Sequence, residues 1–422
     1  MLDWADEAYW SAVRAKANDD GEFARHAKFW EATVRLGIGH RSFRLRVDRG
    51  AVSLIERFAG GMGVDLAIQA PDEDWDALLA AQPLPFYQDL YPASLHHGFD
   101  VVGSIDDYCA HYPAIRRLIE IMREVHAGDD RHEAPATPSA GQFEAATGRY
   151  VHLTIDGTTY RVYFEEAGTG DVGLLMQHTA GADARQWRHI LEDEGLQSKF
   201  RLVAYDLPYH GKSVPPTDVP WWQQEYRLTR DFLMAVPIAL ASALALPRPV
   251  YMGSSIGGHL AVDLALHHPR EFRAVVGLEA AAYTPGGFVD EFNHPRIGNE
   301  FKGSLMYGMM APTSPEAYRH ETAWVYSQGA PPVFKGDLYY YSVDHDVRNT
   351  AATIDTDICS VDILNGEYDW SSTPVAGEEL AAMIPGARYR TMPGLGHFPM
   401  SEHPARFLAE IRPVLDRILA AG

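Results

Sequence analysis

Nine residues, Val250-Tyr251-Met252-Gly253-Ser254-Ser255-Ile256-Gly257-Gly258, constrain this chain more than any other stretch. Three apolar residues predict a buried strand, Gly-x-Ser-x-Gly follows without a break, and small and apolar residues from Ile256 to His268 predict a helix. A strand that turns into a helix this sharply forces the residue at the turn into a strained backbone conformation. Small residues two before and two after it let strand and helix approach. That residue is Ser255. Its hydroxyl should project from the turn, and the amide of Ile256 should lie at a helix N-terminus, where an anion is favoured. Gly-x-Ser-x-Gly arises by chance in many sequences, but strand, turn and helix in this order make Ser255 a candidate nucleophile.

Length and charge narrow the field. The 422 residues are too many for one modest core, so two domains are expected. Hydrophobic residues at 46% and charged residues at 22% suit an ordinary globular chain. A formal net charge of −21 argues against nucleic acid and anionic membranes, both of which reward clustered Lys and Arg. Cys109 and Cys359 offer no disulfide framework and no metal spacing, and read as buried thiols. The start, Met1-Leu2-Asp3-Trp4-Ala5-Asp6-Glu7, is acidic, and no apolar run approaches spanning length. A cytoplasmic location without membrane insertion is therefore expected. No cofactor is called for, neither metal nor nucleotide. Nothing sets an oligomeric state, and a homodimer is the commonest one for such a chain.

The first 127 residues follow their own plan. Residues 4–17 and 23–36 carry apolar side chains at helical spacing, with Trp10, Phe29 and Trp30 as anchors, and Gly37 and Gly39 end the second run. Phe43, Leu45 and Val47 alternate with Arg44, Arg46 and Asp48, which predicts a half-buried strand that Arg49-Gly50 turns into another at 51–58. A third strand is expected at 64–68, a helix starting at Pro71-Asp72-Glu73-Asp74, a short strand at 99–103 and a closing helix at 105–125. From Phe43 on, this order resembles the sterol-carrier-type lipid-binding fold, which would imply an apolar tunnel for a greasy substrate. The competing expectation is an accessory α+β domain that packs on the rest of the chain or dimerises it. Residues 128–147, rich in charge, Pro, Ala and Gly, read as a linker.

From residue 148 strands and helices alternate. Asp156-Gly157 between 150–155 and 159–165 is a hairpin signal. Residues 172–177, 200–205, 250–252, 274–278, 361–364 and 387–392 are short, nearly unbroken apolar runs, as expected of parallel strands covered on both faces. Helical stretches at 228–244, 256–268, 378–384 and 405–419 lie between them. Eight strands, mostly parallel, with right-handed crossovers predict a doubly wound α/β sheet. An insertion at about 284–359 reads as a helical cap over the carboxyl edge of the sheet, where such folds bind ligands. The strand order, the sharp turn at Ser255, Asp206-Leu207-Pro208-Tyr209-His210-Gly211-Lys212-Ser213, Gly366-Glu367-Tyr368-Asp369 and Gly394-Leu395-Gly396-His397-Phe398 together resemble the α/β-hydrolase superfamily over about residues 148–422.

An acyl-transferring serine needs a base to take its proton and a group to orient that base. The resemblance implies the chain order serine, acid, histidine. Of the 19 histidines, only His397 sits in the loop directly after the eighth strand, which Gly394 and Gly396 make pliable. His210 reads as structural, and His259, His267 and His268 as packing and capping residues. Asp369 follows the seventh strand and is the expected acid, with Glu367 its nearest rival. The family's oxyanion hole implies the Ile256 amide and one amide from Met176-Gln177-His178-Thr179-Ala180-Gly181-Ala182-Asp183. Ala180 matches that donor. Thr179 stands where glycine is usual, and its hydroxyl could add a donor.

A serine at the turn excludes the carboxylate-nucleophile chemistry of this fold, epoxide hydrolysis and dehalogenation. The expected reaction is cleavage of an ester, thioester or lactone of a hydrophobic or aromatic small molecule through an acyl-enzyme. Two alternatives stand beside it: C–C bond hydrolysis of a diketone or vinylogous acid by the same triad, and a lipid-binding or transfer role with a passive hydrolase domain. Met306, Tyr307, Met309, Met310, Tyr318, Trp324, Tyr326, Phe334 and Tyr339-Tyr340-Tyr341 would either wall the pocket or form the cap's own core. Trp221-Trp222 could add a rim, and Arg296, Arg319 or Arg348 a carboxylate clamp.

Overall fold

The computed structural model describes residues 4, 6–58, 60, 63–128 and 139–421. Asp6 and Asp20 cap two helices, α1 (Glu7–Asp19) and α2 (Gly21–His26), by accepting the amides of Ala8 and Phe23. Strands β1 (Glu31–Ile38), β2 (Arg41–Asp48) and β3 (Ala51–Arg57) run antiparallel, with Arg49 and Gly50 turning β2 into β3 at φ of 43° and 92°. Strand β4 (Leu66–Ala70) joins β1 in parallel. Helices α3 (Asp72–Leu78) and α4 (Leu90–His96) follow, and β5 (Asp100–Gly103) completes a sheet of order β3-β2-β1-β4-β5. Helix α5 (Ile105–Ala127), capped by the Ser104 hydroxyl, buries Tyr112, Ile115, Ile119 and Met122. Trp4, Trp10, Phe43, Trp75 and Phe99 fill this part with tilted and edge-on ring contacts.

Residues 23–36 do not form one helix. Helix α2 stops at His26 and the chain enters β1 at Glu31, so Phe29 is 82% exposed rather than an anchor, while Trp30 is buried. Gly37 lies inside β1, and Gly39 follows it. Two periods overlap here. Phe23, Ala27, Trp30 and Val34 recur at helical spacing, but Val34, Leu36 and Ile38 alternate, and pairing with β2 and β4 decides for the strand. Helix α4, absent from the sequence-based expectation, fills the stretch between α3 and β5. Half of the expected linker at 128–147, residues 129–138, lies outside the described residues, and its last residue, Thr147, already belongs to a strand.

The Asp156-Gly157 turn, at φ of 49° and 79°, joins β6 (Thr147–Ile155) to β7 (Thr158–Ala167). Strand β8 (Val172–Gln177), two short helices α6 (Arg188–Leu191) and α7 (Glu194–Gln197), β9 (Phe200–Tyr205), α8 (Arg230–Ala243), β10 (Val250–Ser254), α9 (Ile256–His267) and β11 (Ala274–Leu278) come next. Helices α10 (Asn299–Tyr307), α11 (Glu316–Gln328) and α12 (Pro331–Tyr339) form the cap before β12 (Ser360–Gly366). Helix α13 (Pro374–Met383), β13 (Arg388–Met392), α14 (Pro399–Glu402) and α15 (Pro404–Ala420) follow. The sheet order is β13-β12-β11-β10-β8-β9-β7-β6, parallel from β13 to β9 with β7 and β6 antiparallel at one edge. Every residue of β10 and β11 is buried, as strands covered on both faces must be. One apolar cluster runs from Trp75 through Tyr112 and Phe301 to Phe334 and Ile256, so the two sheets share a core. Among the described residues no helix is long and apolar enough to cross a membrane.

Candidate active site

The turn between β10 and α9 holds Ser255 at φ 60°, ψ −114°, a conformation that non-glycine residues rarely adopt. Three glycines make it sterically accessible. A Cβ on Gly253 would come within 2.6 Å of the Gly257 main chain, and one on Gly258 within 2.0 Å of the Leu278 carbonyl. Gly257 is tight rather than obligatory, its Cβ meeting the Gln177 carbonyl at 3.3 Å. That contact sets the end of β8 against the start of α9.

The loop after β8 is fastened on both sides of Ala180. The Thr179 amide donates to Gln186 Oε1 at 3.0 Å, and the Gly181 amide to Asp337 Oδ2 at 2.7 Å. Among the described residues the amides of Ala180 and Ile256 donate to no acceptor, which leaves the two expected oxyanion donors available. The Thr179 hydroxyl is not one of them. It donates to Gln186 Oε1 and contacts the Tyr326 hydroxyl, so its expected part in the hole falls to a cap contact.

His397 and Asp369 meet. Nδ1 of the ring lies 2.8 Å from Asp369 Oδ2, and the other carboxylate oxygen accepts the amides of Ser371 and Ser372. Acceptance by Asp369 requires Nδ1 to carry the hydrogen, which leaves Nε2 as the basic nitrogen. The histidine loop reaches the turn at Ser255, since the Ser254 hydroxyl donates to the His397 carbonyl at 3.4 Å. The Ser255 hydroxyl itself takes no hydrogen-bond partner among the described residues, and Ser255 and His397 are each 4% exposed. Glu367, the rival acid, instead accepts the Gly394 amide at 2.8 Å and staples the turn before the histidine.

Two carboxyls that sequence reasoning missed support this pair. Glu279, directly after β11 at φ 53° and fully buried, accepts the Gly366 amide with both oxygens and contacts Asp369. Burial, then the Asp369 charge, pushes its carboxyl well above the usual range, which favours its protonated form beside Asp369. Glu402, also fully buried, accepts the amides of Gly396 and Phe398, which flank His397, and with its second oxygen the Ala311 amide and Ser314 hydroxyl. Burial raises it to about 7 against those four donors. The signal for Glu279 was a lone carboxylate closing the apolar run Val275-Val276-Gly277-Leu278.

His259 and His210 are both engaged by neighbouring groups. His259 bonds the Ser255 carbonyl and Thr284 hydroxyl, and burial first, then His345, holds it well below the usual value and neutral. His210 sits between the Pro208 carbonyl and Asp337 Oδ2, at 3.0 and 2.7 Å. Cys109 and Cys359 are buried free thiols. No group of three or more His, Cys, Asp or Glu among the described residues is arranged to hold a metal ion.

The cap side chains divide. Phe334 packs on Gly181, Tyr326 lies 5.2 Å from the Phe398 ring, and Tyr341 lies 4.4 Å from the His259 ring, so these three stand over the site. Tyr307 turns away beneath the guanidinium groups of Arg116 and Arg319, and Trp324 is 58% exposed. The exposed Trp221 and Trp222 contact each other edge-on. None of the three cap arginines forms a clamp over the serine. Arg296 pairs with Asp106, Arg348 with Asp346, and Arg319 lies over Tyr307.

The profile of the family described as "Alpha/beta hydrolase family" matches residues 174–410. Among curated proteins, the chain is 30% identical over 148 residues to a 2-hydroxy-6-oxononadienedioate/2-hydroxy-6-oxononatrienedioate hydrolase from Burkholderia vietnamiensis, covering 35% of this chain and 49% of that protein. A protein of the same name from Paraburkholderia phymatum is 28% identical over 155 residues, covering 36% and 51%. The chain thus spans about half the length of the curated relatives it matches. Among solved structures, a thermophilic esterase from Thermogutta terrifontis superposes with a TM-score of 0.56 at 20% identity, over 64% of this chain and 99% of that one. An enol-lactonase from Burkholderia xenovorans gives 0.54 at 20% identity, over 64% and 100%. These likenesses establish a common fold.

Proposed function

Because this chain belongs to the α/β-hydrolase family, which its match over more than half its length shows, we propose that it is a serine hydrolase acting on an ester-type bond of a small hydrophobic or aromatic molecule. The observation that carries the reading is the 2.8 Å contact between His397 Nδ1 and Asp369 beside a strained, unpartnered Ser255. In the proposed reaction Ser255 Oγ attacks the carbonyl carbon while His397 Nε2 takes its proton. The carbonyl oxygen becomes an oxyanion that the Ile256 and Ala180 amides stabilise. Collapse breaks the bond to the leaving group, which departs with the proton from His397. Water, deprotonated by the same nitrogen, then attacks the acyl-enzyme and frees Ser255. Asp369 stays ionised throughout and stabilises the imidazolium.

Phe334, Tyr326 and Tyr341 support an apolar or aromatic substrate, and the engagement of Arg296, Arg319 and Arg348 elsewhere supports an uncharged one. C–C bond hydrolysis is the second reading, favoured by the names of the curated relatives. Their 6-oxo dienedioate carries its ketone carbon between two carbons, and the same triad serves that chemistry. Turnover of a chain-length series of aryl esters against a panel of β-diketones separates the two. The common step is tested by intact mass after fluorophosphonate treatment. One adduct is expected on the wild type and none on Ser255→Ala, whose turnover should fall by about 10⁴-fold or more. An equal adduct on Ser255→Ala would remove the serine mechanism.

A further inference from the structure

The family match begins at residue 174, yet a segment of the first 127 residues touches the loop that carries the acid. Tyr368 and Trp370 flank Asp369, and both are held from the N-terminal side. Gln88 Nε2 donates to the Tyr368 carbonyl at 2.9 Å, and the Tyr368 hydroxyl donates to the Pro83 carbonyl at 3.1 Å. His96 Nε2 donates to the Trp370 carbonyl at 3.2 Å. The neighbouring Asp89 packs on Gly308, where a Cβ would come within 2.1 Å of its carboxylate, and the next residue, Met309, accepts the His397 amide at 3.1 Å. One segment thus adjoins the supports of both the acid and the base.

That segment is itself anchored. Gln88 Oε1 accepts the Phe86 amide at 2.6 Å, and its carbonyl accepts Arg123 Nη2 from α5 at 3.1 Å. Phe86 is held at φ 73°, a strained value for a bulky residue, and stacks on the His96 ring at 4.4 Å. Strain of this kind persists only where the surroundings over-determine the conformation. A loop carrying a catalytic acid needs such fixing, because a displacement of about 1 Å can cost 10²-fold in rate.

We propose that residues 83–96 of the N-terminal domain act as a brace that holds the Tyr368-Asp369-Trp370 loop in register with His397, so that turnover depends on a domain the family profile does not cover. Gln88 and His96 are positioning residues, and this role rests on the reading of Asp369 and His397 as acid and base. The full-length chain is assayed with an aryl ester across pH, with fluorophosphonate labelling and the melting temperature in parallel. Gln88→Glu keeps the acceptor for Phe86 but cannot donate to Tyr368. It should lower kcat by roughly 10- to 100-fold with KM within about twofold. It should also move the acidic limb of kcat/KM to lower pH, since a displaced carboxylate stabilises the imidazolium less. His96→Leu should act in the same direction and His96→Gln, which retains a donor, should restore the rate. Asp106→Asn, which breaks the distant pair with Arg296, should change neither kcat nor the pH profile. A labelled, active wild type whose Gln88→Glu and His96→Leu variants keep its kcat and pH profile would overturn the brace alone. A wild type that neither labels nor turns over would remove the serine-hydrolase reading and the brace with it.

Discussion

Ser255 and Glu279 both occupy left-handed backbone conformations at the carboxyl ends of adjacent strands, and each is tolerated because main-chain bonds hold it. The Ser255 amide donates to the Leu278 carbonyl at 2.9 Å, and the Glu279 amide to the Leu364 carbonyl at 2.8 Å. Glu279 is therefore set against Asp369 by the sheet itself. In its protonated form it can donate to the Asp369 carboxylate, which a glutamine amide at that position reproduces. Glu279→Gln should keep kcat/KM within about threefold, whereas Glu279→Leu should lower it by about tenfold or more. The pH dependence has a definite sign. A carboxyl whose folded value lies above its unfolded value keeps a proton that the unfolded chain releases, so its contribution to stability falls as pH rises from about 4. Melting temperatures of Glu279→Gln and wild type should thus agree best near pH 4 and diverge in favour of the variant toward pH 7.

At the scale of elements, Asp337 is one of the carboxylates that fasten the cap to the rest of the chain. Asp337 on α12 accepts the Gly181 amide and faces His210 Nε2, each at 2.7 Å, and it accepts the Tyr226 hydroxyl at 3.2 Å. Both ring nitrogens of His210 face oxygens, so the imidazolium is the form that satisfies both contacts. Burial alone would lower its pKa, and the Asp337 charge with the hydrogen bonds to Asp337 and Pro208 raises it above the ordinary value. A raised histidine contributes stability that is complete below the unfolded value, about 6.5, and is lost as pH climbs through the folded one. Urea unfolding should find His210→Ala most destabilised relative to wild type at pH 6, with the gap narrowing by pH 9. An unchanged gap would mean that the charge of His210 is not what fastens the cap.

Across the whole molecule, the N-terminal sheet is part of one buried apolar cluster with the cap and the large sheet. Tyr112 meets Phe301 edge-on, Arg116 lies over Tyr307, and Gln88 reaches Tyr368 across 280 residues of chain. Shared cores of this kind unfold together. Thermal unfolding followed by far-UV circular dichroism, tryptophan fluorescence and residual hydrolase activity should give coincident transitions. Separate transitions, with the N-terminal tryptophans melting first, would show that the two parts are energetically independent.

Local backbone chemistry made much of this protein legible from its residues alone. The Asp156-Gly157 hairpin, the buried strands at 172–177, 200–205 and 274–278 and the turn at Ser255 each depend on residues adjacent in the chain, as the structure confirms. The pairing of Asp369 with His397 was expected from the resemblance to the α/β-hydrolases, whose acid and histidine follow the seventh and eighth strands, and the two side chains meet at 2.8 Å. Where two local patterns overlapped, as at 23–36, only pairing with distant strands could choose between helix and strand. The buried acid at Glu279, the clasp of Glu402 on both sides of His397, the Asp337 latch and the reach of Gln88 to the acid loop carry no local signature. Each joins a buried polar group to a partner whose nearness is created by folding, and a desolvated carboxylate or carbonyl must find that partner or forfeit the cost of leaving water.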